Sequence, residues 1–399
     1  MTDDFQPSDP HGRLRQVEIY TAGMLADQRP EYPVAHEELK RAAEEVLSPE
    51  AYAYVAGGAG AETTATNNRR AMERWQLLPR MLRDVAERDL SIELFGEEWS
   101  VPFALAPIGA QGIIHDEGDL ASARAAASLD VPFVQSTQAS EPLEDVADAM
   151  GGTPHWFQLY WSSERDVTAS LVRRAEEAGY SALVVTLDTP LLGWRERDIE
   201  LGYLPFLDGE GLANYLTDPA FRAGLDVSPE ENEQAAIMQF IETFADPSLV
   251  WKDLAWLREQ TDLPIVLKGL LHPDDAALAI EHGADGVIVS NHGGRQVNGA
   301  VGALRALPRI VERVDGRIPV LFDSGIRRGS DALKALALGA EAVLLGRPYL
   351  YGLALGGEEG VSAVVENFRA DLDLTLALTG NTAVTDIDRS VLAPADWFE

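Results

Sequence analysis

The chain has 399 residues, with 65 acidic against 32 basic side chains, a formal charge of −33 and no cysteine. A field of that sign opposes binding to nucleic acid or anionic membranes. The missing thiols exclude disulfides, iron–sulfur clusters, thiolate metal sites and a cysteine nucleophile. No apolar run has membrane-spanning length, and the start, MTDDFQPSDP, is acidic and polar, unlike a signal or transit peptide. These features predict a soluble cytoplasmic protein. Only four lysines occur, Lys40, Lys252, Lys268 and Lys334, and an acidic, lysine-poor composition suits a halophilic source. Lys40, Lys252 and Lys334 lie in amphipathic helical patterns and read as surface residues.

Residues 1–100 read as a cap segment, with a helical stretch and the loop AYVAGGAGAE. From residue 104 short apolar runs alternate with helical patterns. The runs are ALAPIG (104–109), PFVQST (132–137), WFQLY (156–160), ALVVTLD (182–188), PIVLKG (264–269), GVIVSN (286–291), PVLFDSG (319–325) and AVLLGRP (342–348). Each is bounded by Gly, Pro or Asp. Patterns such as DLASARAAASLD and HPDDAALAIEHG put apolar residues at helical spacing between them. Eight strand–helix units predict an α/β protein, a (β/α)8 TIM barrel over 101–399. A doubly wound sheet is the alternative, but no G-x-G-x-x-G turn follows the first strand. An acidic insertion with aromatic punctuation, 190–250, separates the fourth and fifth strands and reads as a lid with some helix.

In such barrels the site lies at the C-terminal ends of the strands. Those ends carry Pro107, Ile108 and Gly109; Ser136 and Thr137; Gln158 and Tyr160; Thr186 and Asp188; Lys268; Ser290, His292 and Arg295; Asp323, Gly325 and Arg327; Gly346 and Arg347. His292 titrates near neutrality and suits a proton acceptor. A core histidine is the competing reading, and the Gly-Gly loop beside it favours function. Arg295 has the planar fork that fits a carboxylate. Arg195, in GWRERD, either clamps the same carboxylate or pairs with Glu196 or Asp198 at the surface. Lys268 ends a buried strand and needs an anionic partner. Both FDSGIRRG and LLGRPYLYG are Gly-rich turns into helices with an arginine, which predicts an anion site and a phosphorylated cofactor. Ring-edge hydrogen bonders near a lysine fit flavin mononucleotide better than pyridoxal phosphate. A metal is not expected: no pair among the seven histidines has ligand spacing, and HDEGD (115–119) reads as a cap on a helix beginning near Asp116.

SNHGGRQ, together with APIG, FQLY, TLDTP, LKG, DSGIRRG and LGRP, resembles the FMN-dependent 2-hydroxy-acid oxidising enzymes, from Tyr52 to the C-terminus. The resemblance implies His292 as catalytic base, Arg195 and Arg295 as the carboxylate pair, and Tyr54 and Tyr160 as substrate contacts. It implies Ser136, Gln158, Thr186, Ser290 and Lys268 around the flavin, with Lys268 at N1 and C2=O, and the Pro107–Gly109 backbone near N5. Asp323, Gly325, Arg327, Gly346 and Arg347 would hold the ribityl phosphate. Asp323 or a neighbouring acid would orient His292, and Asp188 would act only indirectly. SPEAYAYVAGGAGAE, GWRERD, ANYLTDPAF and Gly109 most resemble the lactate 2-monooxygenases of this family. That implies a small (S)-2-hydroxy acid, L-lactate, as substrate, dioxygen as acceptor, and a homo-oligomer, tetramer or octamer. Gln138 departs from the apolar or aromatic residue common in relatives, and with Leu191 it suits a small substrate.

Overall fold

Parallel strands covered on both faces have no polar side, so each reads as an unbroken apolar run. All eight runs form strands in the computed structural model of the protein, which describes residues 11–395. They are β1 (Phe103–Leu105), β2 (Phe133–Ser136), β3 (His155–Leu159), β4 (Leu183–Thr186), β5 (Ile265–Leu270), β6 (Gly286–Val289), β7 (Val320–Phe322) and β8 (Ala342–Leu345). They pair in parallel in chain order, and β8 pairs back to β1. A helix follows every strand, from Gly118–Ser128 after β1 to Arg347–Leu378 after β8. The protein is a closed (β/α)8 barrel.

The register sets Ser136 against Gln158 and Thr186 against Lys268. Polar side chains therefore end adjacent strands at one level. Between Lys268 and Leu270 the register slips. Gly269 takes φ +110, and a Cβ there would stand 2.8 Å from the Asp188 side chain. Glycine thus lets the end of β5 approach the chain leaving β4.

The opposite mouth is closed by a hairpin, Ile92–Leu94 with Glu97–Trp99. The fully buried Trp99 packs on Trp156 at 4.9 Å between centroids. The segment expected as one cap is divided in its contacts. Helices Pro49–Ala56 and Thr63–Glu73 reach the His292 side of the barrel through Gly57 and Asn68. Trp75–Leu77 pairs instead with Leu392–Pro394 from the far end of the chain. Strands of three residues paired across the whole sequence leave no local signal. Residues 1–10 of the expected cap lie outside the described residues.

The insertion after β4 folds into short helices, the longest being Glu233–Thr243. Its own aromatic cluster holds it, with Tyr215 and Phe206 at 4.8 and 5.7 Å from Phe240. Asn214 ties it to the end of β2 by donating to Thr137 O at 3.0 Å. Two smaller expectations fail. The helix after HDEGD starts at Gly118, and Asp119 is buried rather than capping, accepting from Ser140 N at 2.8 Å. Lys334 is half-buried, donating to Met72 O at 3.1 Å. Among the described residues no helix is long and apolar enough to cross a membrane.

Candidate active site

The loop after β6 explains its own glycines. His292 takes φ +57, uncommon for a side-chain-bearing residue. Its backbone N–H donates to Ser290 Oγ at 3.0 Å, and Gly293 N–H donates to Ser324 Oγ at 3.0 Å. A Cβ on Gly294 would stand 2.6 Å from Ala65 N, and one on Gly293 would stand 2.8 Å from Arg347 Nη1. Only glycine allows the helix Thr63–Glu73 and Arg347 to press on the loop from both sides. Asn291 and Asn68 exchange side-chain amide hydrogen bonds at 2.7 and 2.8 Å, locking that helix to it.

His292 Nδ1 lies 2.9 Å from Asp188 Oδ1. Burial pulls the histidine below its usual range. Burial would raise Asp188, but His292 and then Lys268 more than offset it and hold the carboxyl low. The pair is therefore a neutral imidazole and a carboxylate. A carboxylate only accepts, so Nδ1 carries the hydrogen and Nε2 keeps its lone pair. Of the acids expected to orient His292, Asp323 or a neighbour, Asp323 does not reach the ring, and Asp188 holds it. Asp323 instead lies 3.2 Å from Lys268 Nζ, which also donates to Ser290 Oγ at 3.2 Å. Burial opposes the charge on Lys268, yet Asp323 and Asp188 together raise its pKa.

Arg195 is 7 % exposed, which excludes the surface ion pair. Among the described residues it donates only to neutral acceptors, Arg295 O at 3.4 Å and Gln296 Oε1 at 3.3 Å. Burial, then the charge of Arg295, brings it down to about 10. Arg295 donates to Tyr54 O and Gly57 O and stacks over the Tyr54 ring at 4.7 Å. Among the described residues neither guanidinium has a carboxylate within ion-pair distance. The nearest acid, Asp198, feels both charges but pairs with neither, so two adjacent guanidiniums, one of them buried, mark a seat for an anion. Tyr160 lies in the same cavity, and burial raises its phenol so that it stays protonated.

One cavity joins these residues to the rest. Tyr54, Tyr160, Arg195, His292, Arg295 and Lys268 line it with Pro107, Ile108 and Gly109. Asp323, Gly325, Arg327, Gly346 and Arg347 line its other end. Ser136, Gln158 and Ser290 do not line it and are buried at the strand ends, and Thr186 lines a separate pocket with Tyr160 and Gly269. Arg347 is turned inward, donating to Val55 O, Gly57 O and Gly293 O at 2.8 to 3.1 Å. Sequence reasoning passed over Thr189, 3.4 Å from His292 Nδ1, as well as Asn68 and Ser324.

A planar ring with polar edges fits these donors. Ser136 Oγ donates to Gln158 Oε1 at 2.9 Å, which aims the Gln158 amide. Its Nε2 is buried without a partner, as is Nε2 of Gln138. The family model for FMN-dependent dehydrogenases matches residues 43–394. The chain belongs to that family. An L-lactate oxidase of Lysinibacillus sphaericus is 45% identical over 92% of this chain and 95% of its own. Human 2-hydroxyacid oxidase 1 is 42% identical over 88% and 94%. A crystal structure of mandelate oxidase superposes with a TM-score of 0.78 at 41% identity, over 88% and 96% of the two chains. Like other FMN-dependent dehydrogenases the chain is an oxidoreductase of 2-hydroxy acids, with FMN as cofactor. The orphaned amide donors and the phosphate-end arginines fit that group.

Proposed function

We propose that the chain oxidises L-lactate with dioxygen and retains the keto acid, so that lactate and O2 give acetate, CO2 and water. The unpaired guanidiniums of Arg195 and Arg295 beside the His292–Asp188 pair carry this reading. The substrate carboxylate accepts hydrogen bonds from both arginines, supplying the direct ion pair that Asp198 does not make. Nε2 of His292 takes the proton released as C2 is oxidised. Asp188 steadies the resulting imidazolium, as a carboxylate on the far ring nitrogen does. Tyr160, a neutral phenol, donates to a substrate oxygen, and Tyr54 packs under Arg295. FMN, when bound, supplies the acceptor for the two electrons.

Ser136, Gln158, Thr186 and Lys268 would hold the ring, with Ser290 steadying Lys268 and Pro107–Gly109 along the edge. Asp323, Gly325, Arg327, Gly346 and Arg347 would hold the ribityl phosphate. Retention of the keto acid is supported by Gly109, packed so tightly that a Cβ would stand 2.8 Å from Gln138 O. It is supported too by the insertion, whose Phe206 and Phe244 wall the cavity. The acidic, lysine-poor composition fits work in concentrated salt. The similarity to proteins named L-lactate oxidase favours a second reading, in which pyruvate leaves and peroxide forms. Aerobic turnover of L-lactate separates them: acetate and CO2 as products support the proposal, and stoichiometric pyruvate and peroxide replace it with the oxidase reading.

A further inference from the structure

A buried imidazole with no catalytic role stands beside Arg327 at the phosphate end of the cavity. His36 opens the helix His36–Val46 and is 5 % exposed, and its Nδ1 is buried with no hydrogen-bond partner. It lines the cavity at the end that holds Arg327, Gly346 and Arg347. Its ring leans on Tyr351 at 5.9 Å between centroids. A separate outer pocket, with Pro33, Leu39 and Arg328, shares His36 and Arg327 as wall. These two side chains, with Pro348, stand between the cofactor cavity and the outer pocket.

A buried polar nitrogen without a partner is destabilising, and among the described residues nothing relieves it. Burial, then Arg327, Arg328, Arg69 and Lys40, depresses the ring's pKa to about 3, so it is neutral. A neutral imidazole still has one N–H to donate. The first turn of the same helix has no side-chain cap, which leaves the donor end of an eleven-residue helix at the same place. Glu37 fixes that turn to Arg327, 3.5 Å away. An unsatisfied ring nitrogen, an uncapped helix start and a group of arginines converge where the cavity meets the cap.

We propose that His36 hydrogen-bonds the phosphate of FMN, so that the N-terminal segment completes the phosphate end of the cofactor site. The inference rests on the assignment of Arg327 and Arg347 to that phosphate. The test titrates apo-protein with FMN and, separately, with riboflavin, which has the ring and ribityl chain but no phosphate, following flavin fluorescence. His36→Ala removes the ring, and His36→Phe keeps the packing on Tyr351 without a nitrogen. Loss of a hydrogen bond to a charged group predicts FMN bound about 10- to 100-fold more weakly by both variants, with riboflavin affinity unchanged. Unchanged FMN affinity in His36→Phe overturns the proposal. Equal loss for both flavins also overturns it, assigning His36 to packing. Wild-type protein that binds riboflavin as tightly as FMN overturns the phosphate assignment itself, and His36 with it.

Discussion

Nδ1 of His292 and Oδ1 of Asp188, 104 residues apart in sequence, stand 2.9 Å apart at the mouth of the barrel. The contact fixes which ring nitrogen carries the hydrogen. Asp188→Asn can present its amide N–H to Nδ1 and so stabilise the wrong tautomer. The expected result is full FMN content with anaerobic reduction by L-lactate slowed about 10²- to 10⁴-fold, the range of general-base effects. Absorbance decay after rapid mixing measures it, and a rate within twofold of wild type would remove Asp188 from this role.

The pH dependence follows from the same pair. The neutral ring is the base, and burial holds His292 below its ordinary 6.5. The profile of kcat/KM should be flat above neutrality and fall on the acid side through a pKa below 6.5. Stability has the same sign. His36 and His292 both titrate lower in the folded chain than in the unfolded one. Their contribution is present above 6.5 and is lost as pH falls, because the unfolded state then binds more protons. Urea midpoints of the apo-protein should drop as pH falls from 6.5 towards 4, and less steeply in His36→Phe.

Gly109 offers a steric prediction. In Gly109→Ala the new Cβ would meet Gln138 O at 2.8 Å and Gln138 Cβ at 2.9 Å, so the β1 and β2 ends must part. Overpacking of this kind costs about 1–3 kcal/mol. The looser wall should release the keto acid, raising the pyruvate and peroxide formed per lactate at the expense of acetate. Product analysis of wild type and variant side by side reads the change.

Lys268 and Asp323 form a buried pair at 3.2 Å. Lys268→Met leaves a carboxylate without its cation, which should cost about 3–5 kcal/mol. Lys268→Met with Asp323→Asn removes both charges and should recover most of that loss. Urea denaturation of the apo-proteins compares the two. Equal destabilisation by single and double variants would show that the charges are not coupled.

The barrel was legible because strands covered on both faces leave continuous apolar runs, and all eight were placed within two residues at their first position. The site was legible as far as it lies on strand ends, which brought His292, Lys268 and Tyr160 to one rim. What stayed hidden was pairing across elements. Nothing in TLDTP says that Asp188 rather than Asp323 will meet His292; only the fold brings the chain leaving β4 to the loop after β6, with glycine at 269 leaving room for the Asp188 side chain. Asn68 and Asn291 are ordinary polar residues until the fold sets their amides face to face. The plug of Trp99 on Trp156 was equally silent, since a three-residue strand has almost no periodicity to read.

The most direct measurement is anaerobic mixing of FMN-loaded protein with L-lactate, in wild type and in Arg195→Met and Arg295→Met. Bleaching of the wild-type flavin by L-lactate but not by D-lactate is predicted. Each arginine variant should need at least about tenfold more L-lactate for the same rate, since a charge-assisted hydrogen bond contributes about 1.5–3 kcal/mol. Wild-type flavin that stays oxidised, or variants that bleach with unchanged lactate dependence, would contradict the account.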